Sequence, residues 1–179
     1  MTALCIDSAR LSLVAATLRH AEAELEGPRS LAALLGVEVP ASWPPGEYDR
    51  NAQEYFRGRL AAASPDDAGW FGWYAITAHE PFTSRTLVAA AGFLGPPDVG
   101  GTAEIGYSVI PEATGFGFAT EAVRALLRWA KGNGATRIIA HTTQANEASV
   151  AVLRHCGFVE DGPGTEPGTI RFVAGPSAL

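Results

Sequence analysis

Residues 103–130 read AEIGYSVIPEATGFGFATEAVRALLRWA, and the reading of this stretch decides the fold. Its second half carries Ala119, Ala122, Val123, Leu126, Leu127 and Ala130 at i, i+3, i+4, i+7, i+8 and i+11. That spacing lays apolar side chains along one helix face, while Glu121, Arg124, Arg128 and Lys131 point away. Its first half lies in a β-rich run, TAEIGYSVIP (102–111), where alternation puts Glu104, Gly106 and Ser108 on one face and Ala103, Ile105 and Tyr107 on the other. Between the two lies TGFGFAT (114–120). Its glycines let the backbone turn tightly and aim several N–H groups at one spot. The first amides of the helix lack intrahelical partners and its dipole is positive there, so the place suits a phosphate or pyrophosphate. A glycine pair before a helix also serves as a plain connection, and on the turn alone both readings stay open.

Downstream, Gly132 and Gly134 end the helix, TRIIAHTT (136–143) reads as a strand, and 146–156 as a helix with Gly157 at its C-terminal cap. Strand, helix, strand, helix implies a parallel strand pair. Residues 158–173 fit a final hairpin. Upstream, GWFGWYAIT (69–77) and TLVAAAGFLG (86–95) join 102–111 in an antiparallel meander. Leu11 to Val14 alternates as a first strand, and Thr17 caps a helix with Leu18, Ala21 and Leu25 on one face. Apolar residues return at Leu31, Leu34 and Leu35. VPASWPPGEYD (39–49), with three prolines and a glycine, must then be a loop before a helix at 50–62. Two early helices frame it. No internal repeat or low-complexity linker interrupts the chain.

With 179 residues, 47% of them hydrophobic, the chain is expected to form one domain over 1–179. The 13 basic and 19 acidic residues give a net charge of -6 without any run of Lys or Arg. The footprint of a nucleic-acid binder is missing, and a neutral or cationic partner fits better. Lys131 is the single lysine available for Schiff-base chemistry. Cys5 and Cys156 share no metal-ligand or redox spacing, so free thiols, no metal and a cytoplasmic location are expected. Asp7 and Arg10 break the N-terminal stretch, and no segment approaches about 18 uninterrupted apolar residues, so neither export nor a membrane span is expected. A Walker A loop needs Gly-Lys followed by Ser or Thr, which is absent. A dinucleotide fingerprint wants Gly or Ala where Thr120 stands, so both nucleotide readings fail.

Together with NEASVAVLRHCGF (146–158), residues 103–130 resemble the GNAT superfamily of acetyltransferases, and within it the branch of ribosomal-protein N-terminal acetyltransferases. The resemblance runs from about Ala103 to Phe158. It implies an α/β fold with a mixed, mainly antiparallel sheet that splays, and helices on both faces. It also implies an enzyme, monomer or homodimer, that passes an acetyl group from acetyl-CoA to a primary amine of a protein N-terminus or small molecule. Transfer would be direct, in a ternary complex, since no Cys, Ser or His arrangement points to an acyl-enzyme. A non-catalytic acyl-CoA-binding sensor or interaction module on the same fold is the alternative.

The resemblance also assigns residues. Gly117 and Ala119 match the fourth and sixth positions of the family's pyrophosphate loop, whose first position, usually Gln or Arg, is Thr114 here. Cofactor contacts are thus implied for Gly115, Phe116, Gly117, Phe118, Ala119 and Thr120. The backbone around Ser108 and Val109 would bind the pantetheine arm, with the N–H near Val109 polarising the thioester carbonyl. Asn146 matches a cofactor-touching Asn in an N-x-x-S pattern, and is equally an N-cap by type and position. An amine nucleophile, with a reference pKa of about 8 for an α-amine or about 10.4 for lysine, must lose a proton before attack. Glu104 is the implied base, through water, set against a structurally paired carboxylate. Leu153 stands where many relatives carry a tyrosine acid, which leaves Ser149 as the proton donor or as a helix-start hydroxyl. His141 is an alternative base. His20, His79 and His155 read as surface residues. Trp43, Trp70, Phe71, Trp73 and Tyr74 read as core, with some rings walling an acceptor pocket.

Overall fold

The computed structural model describes residues 4–175, so the ends of the span expected as one domain lie outside the described residues. Eight strands form one sheet: β1 (Cys5–Asp7), β2 (Ser12–Ala15), β3 (Gly72–Thr77), β4 (Thr86–Phe93), β5 (Thr102–Val109), β6 (Arg137–Thr143), β7 (Val159–Pro163) and β8 (Thr169–Ala174). Their order is β1-β2-β3-β4-β5-β6-β8-β7. Helices α1 (Leu18–Glu26), α2 (Pro28–Leu35), α3 (Arg50–Ala62), α4 (Phe118–Gly132) and α5 (Glu147–His155) accompany it. Neighbours from β1 to β5 are antiparallel, and β5 and β6 are parallel because α4 carries the chain back across the sheet. The mixed, mainly antiparallel α/β fold is the one expected. No helix among the described residues is long and apolar enough to cross a membrane.

Alternation along β3 divides the layers. Trp73 packs edge-on against Trp129 of α4, with ring centroids 5.4 Å apart, while its neighbour Tyr74 turns to α1 and meets His20 at 5.9 Å. The aromatic group read as one core cluster is therefore split between two faces: Trp70 also joins Trp129, and Trp43 joins Tyr74. Helix α4 buries Phe118, Ala122, Val123, Ala125, Leu126, Leu127 and Ala130, which is the expected stripe except that Ala119 is only half-buried and Phe118 and Ala125 join it. Each large member of that stripe contributes about 1.5–3 kcal/mol on burial. Glu121, counted on the outward face, instead fastens the β1–β2 hairpin to the start of α4.

Four local readings change. A hairpin partner, β1, precedes the expected first strand. Residues 28–35 form a third early helix, too short to show a period, opened by Pro28 at its first turn and closed by the left-handed Gly36. The strand expected to 111 ends at Val109, and Pro111–Ala113 makes a 3-10 turn. His20 is buried, not on the surface: its backbone N–H donates to Thr17 Oγ1, its Nδ1 accepts from the Thr17 N–H, and its ring meets Tyr74. Burial, aided by the charge of Arg19, lowers its pKa, which suits an accepting Nδ1. At the end of α5, Gly157 makes the expected cap, with the Phe158 N–H bonded to Leu153 O and the Gly157 N–H to Arg154 O.

Candidate functional site

The sheet opens beside β5. Strands β5 and β6 pair only from Thr102↔Arg137 to Glu104↔Ile139, whereas β5 stays with β4 as far as Val109 and β6 stays with β8. The Ile110 N–H donates to Val88 O and the Leu94 N–H to Glu104 O, both at 3.0 Å. Even-numbered residues of β5 therefore direct their backbone to β4, and Tyr107 and Val109 direct theirs into the gap. Of the two residues expected to lend backbone here, Val109 has its N–H in the gap and Ser108 contributes a side chain. The 39–49 loop crosses that side chain so closely that a Cβ on Gly46 would lie 2.6 Å from Ser108 Oγ.

The turn that follows is built from backbone. Gly115 and Gly117 have φ of 86° and 79°, left-handed values that side chains rarely adopt. Helix α4 begins at Phe118 with no side-chain cap. The Thr114 N–H is bonded to Pro111 O and the Glu121 N–H to Gly117 O. Among the described residues no hydrogen bond takes up the N–H groups of residues 115–120 between them. Those free donors and the positive helix end make an anion cradle.

A cation reaches the same turn from the far end of the chain. Arg10 donates from Nη1 to Phe116 O at 2.8 Å and from Nε to Glu121 Oε2 at 2.8 Å, and its guanidinium stands 4.7 Å from the centre of the Phe118 ring. Burial works to raise the Glu121 pKa. Hydrogen bonds from Ser8 and Arg10, with the charge of Arg10, outweigh that and hold it below the ordinary carboxylate range. Arg10 therefore puts a charge beside a loop that opens with neutral Thr114.

Two spaces meet at β5. A groove of about 620 Å³ runs between β5, the turn, the end of β6 and α5, with Val109, Gly117, His141, Asn146, Ser149 and Leu153 in its wall. A cavity of about 240 Å³ lies between the sheet and helices α1 and α3. Glu47, Gly106, Tyr107 and Ser108 line both.

Asn146 caps α5, its Oδ1 accepting from the Ser149 N–H at 3.2 Å, while it also faces the groove. Ser149 Oγ stands 3.0 Å from the hydroxyl of Tyr107, which donates to Ser149 O at 2.9 Å. Burial pushes the Tyr107 pKa up to about 12, so this phenol keeps its proton at neutral pH. Glu104 lines neither space; its Oε1 is 2.7 Å from His141 Nδ1. His141 Nε2 is buried and has no hydrogen-bond partner among the described residues. His155 is exposed and borders the groove, and His79 is exposed. No group of three or more His, Cys, Asp or Glu among the described residues is placed to hold a metal ion.

The structure thus gathers Gly115, Gly117, Phe118, Ala119, Thr120, Ser108, Val109, Asn146 and Ser149 around one groove, leaves the exposed Phe116 outside its lining, and ties Glu104 to His141. Sequence reading missed Arg10, Tyr107 and Glu47. Arg10 carried no local signal, being over a hundred positions from the turn. Tyr107 was visible as the β5 residue facing opposite to Glu104, but its pairing with α5 was not.

The acetyltransferase (GNAT) domain family matches residues 10–159. The uncharacterized N-acetyltransferase YjdG of Bacillus subtilis (strain 168) is 29% identical over 126 residues, 70% of this chain and 71% of that protein. Ribosomal-protein-S5-alanine acetyltransferase from Vibrio fischeri is similar in structure with a TM-score of 0.67 at 18% identity, over 97% of each chain. RimJ of Mycobacterium smegmatis, in complex with CoA-disulfide, gives 0.62 at 19% identity over 94% of this chain and 83% of that one. At these identities the structural likeness is one of fold.

Proposed function

We propose, for a chain that belongs to the acetyltransferase (GNAT) domain family, that it transfers an acetyl group from acetyl-CoA to a primary amine by direct attack in a ternary complex. The observation that carries this reading is the meeting of groove and cavity at Gly106 to Ser108, beside the open edge of β5. One space takes the donor, the other the acceptor. The residues present fit a CoA thioester: free amides and Arg10 for the pyrophosphate, a strand edge for the amide-containing pantetheine arm. Acetyl-CoA supplies an acyl group activated as a thioester.

Residues 115–120 bind phosphate oxygens through their N–H groups. Tyr107 and Val109 pair with the pantetheine arm as a neighbouring strand would, and the Val109 N–H stabilises negative charge developing on the carbonyl oxygen, where a fixed donor contributes most. Glu104, oriented by His141, takes the ammonium proton through a water. The nitrogen–carbon bond forms, the nitrogen gives up its second proton to water, and the carbon–sulfur bond breaks. Ser149, held by Tyr107, gives a proton to the departing thiolate and regains one from solvent. Because Tyr107 supplies a hydroxyl partner from β5, the leucine at 153 leaves the thiolate side of the groove with a donor.

Thermal unfolding with acetyl-CoA, CoA and NAD tests the donor site, since ligand at a hundredfold excess over its Kd adds about 2.7 kcal/mol. A shift with both CoA species and none with NAD is expected. Release of free thiol on adding amines then separates an enzyme from a sensor that binds without turnover. No shift with either CoA species overturns the reading.

A further inference from the structure

We infer that the acceptor is a small amine with a single charge on the reacting nitrogen and an uncharged aromatic or branched hydrocarbon body, seated in the cavity between the sheet and helices α1 and α3. This rests on the transfer reading above.

The cavity is a hole made by small residues. Ala90 and Gly106 on the sheet and Ala52 on α3 leave the room that Phe56 and Leu60 enclose. Gly106 is the telling position. Its φ is outside the left-handed region and a Cβ there would meet nothing within 4 Å, so the backbone has no need of glycine. What glycine provides is open space at the junction with the groove.

The wall offers a ligand few polar side chains: Glu47 and the Ser108 hydroxyl at the junction with the groove, and the phenols of Tyr48, Tyr74 and Tyr107. Tyr48 and Tyr74 line it, but their hydroxyls are taken by Glu24, donating to Oε2 at 2.9 and 2.8 Å while Trp43 Nε1 donates to Oε1 at 2.7 Å. They leave rings to the cavity. Among the described residues Glu47 is the only ionisable group in the lining besides the phenols, and it sits where cavity and groove join. One carboxylate at the mouth and rings within suit one ammonium on an apolar body. A polyamine or aminoglycoside would bring further charges into a wall with no partner for them, and burying an unpaired charge is costly.

Size points the same way. Apolar cavities of about 150 Å³ hold benzene, and pockets for drug-sized ligands start at about 300 Å³. At about 240 Å³ the cavity takes a ring and a short linker.

The test compares kcat/KM by thiol release for phenethylamine, ethylamine, spermidine, an aminoglycoside and short peptides with N-terminal Ala or Ser, at saturating acetyl-CoA. Phenethylamine is expected to exceed ethylamine by more than about tenfold, since each methylene buried in an apolar pocket gives about 10-fold or more. Ala52→Leu and Gly106→Val, filling the cavity from opposite walls, should bring that ratio toward one. Acetyl-CoA affinity, read by calorimetry, should stay unchanged in Ala52→Leu, which lies outside the groove. Faster turnover of spermidine, the aminoglycoside or a peptide, or a ratio that neither filling variant moves, overturns the inference and leaves the transfer reading standing. Binding of acetyl-CoA with no amine turned over overturns both.

Discussion

The turn at 115–120 and the wall around Glu24 both border the central strands, and they are made in opposite ways. The turn is contiguous in sequence and works through backbone N–H groups, so its chemistry needs two left-handed glycines and a helix start. The wall is assembled from α1 (Glu24), the 39–49 loop (Trp43 and Tyr48) and β3 (Tyr74), and works through side chains whose polar atoms neutralise one another. A donor common to a whole family can be held by the first kind of site, while the second kind changes whenever one loop changes. The two should therefore fail independently.

The largest separation is expected from Glu104→Gln, which should lower kcat by about 100- to 10,000-fold, the range of a lost general base. Its acetyl-CoA Kd by calorimetry should match that of the parent protein. His141→Phe, removing the partner 2.7 Å away, should lower kcat in the same direction and change the shape of the pH–rate profile.

On the donor side, Gly117→Val forces a branched side chain into a left-handed φ of 79°, which costs about 1–3 kcal/mol of strain, and crowds the amide cradle. The stabilisation of about 2.7 kcal/mol given by hundredfold-excess acetyl-CoA should disappear from thermal unfolding curves.

On the acceptor side, Glu24→Ala leaves the indole and two phenols without their acceptor, at about 1–3 kcal/mol for each group that stays buried and unpaired. Urea unfolding should show a loss of at least about 2 kcal/mol on that basis. Acetyl-CoA should still raise the melting temperature of the variant. Burial raises the Glu24 pKa despite the hydrogen bonds from Tyr74, Tyr48 and Trp43. The folded state then holds this proton more tightly than the unfolded chain, so Glu24 costs stability as pH rises through the carboxylate range, and Glu24→Gln should flatten that part of the profile.

The smallest effect is expected at Arg10→Ala. The ion pair with Glu121 is partly exposed and screened, so about 0–1 kcal/mol of stability is at stake. Glu121 has a lowered folded pKa; its contribution is present above its ordinary value and lost as pH falls through the folded one. Removing Arg10 should therefore flatten the acid limb of a melting temperature against pH curve. It should also weaken acetyl-CoA binding measurably at low salt.

Helix α4 was legible because its apolar stripe recurs over three turns within one segment, and the meander because β3 to β5 are joined by turns in sequence order. Helix α2 was not, since eight residues hold too little of a period to count. His20 was misread as exposed because a histidine three residues after a threonine carries no mark of the Tyr74 ring that covers it.

By itself the sequence determined the α/β order of elements from β3 to the final hairpin, the helix that carries the core stripe and the glycine turn at its start, because each depends on neighbours along the chain. Tertiary structure alone decided that Arg10 serves that turn, that Glu104 is bound to His141 and Tyr107 to Ser149, and that groove and cavity meet at Gly106. Those partners lie 37 to 106 positions apart, and only the closing of the sheet and the opening of its gap brings them within hydrogen-bonding reach.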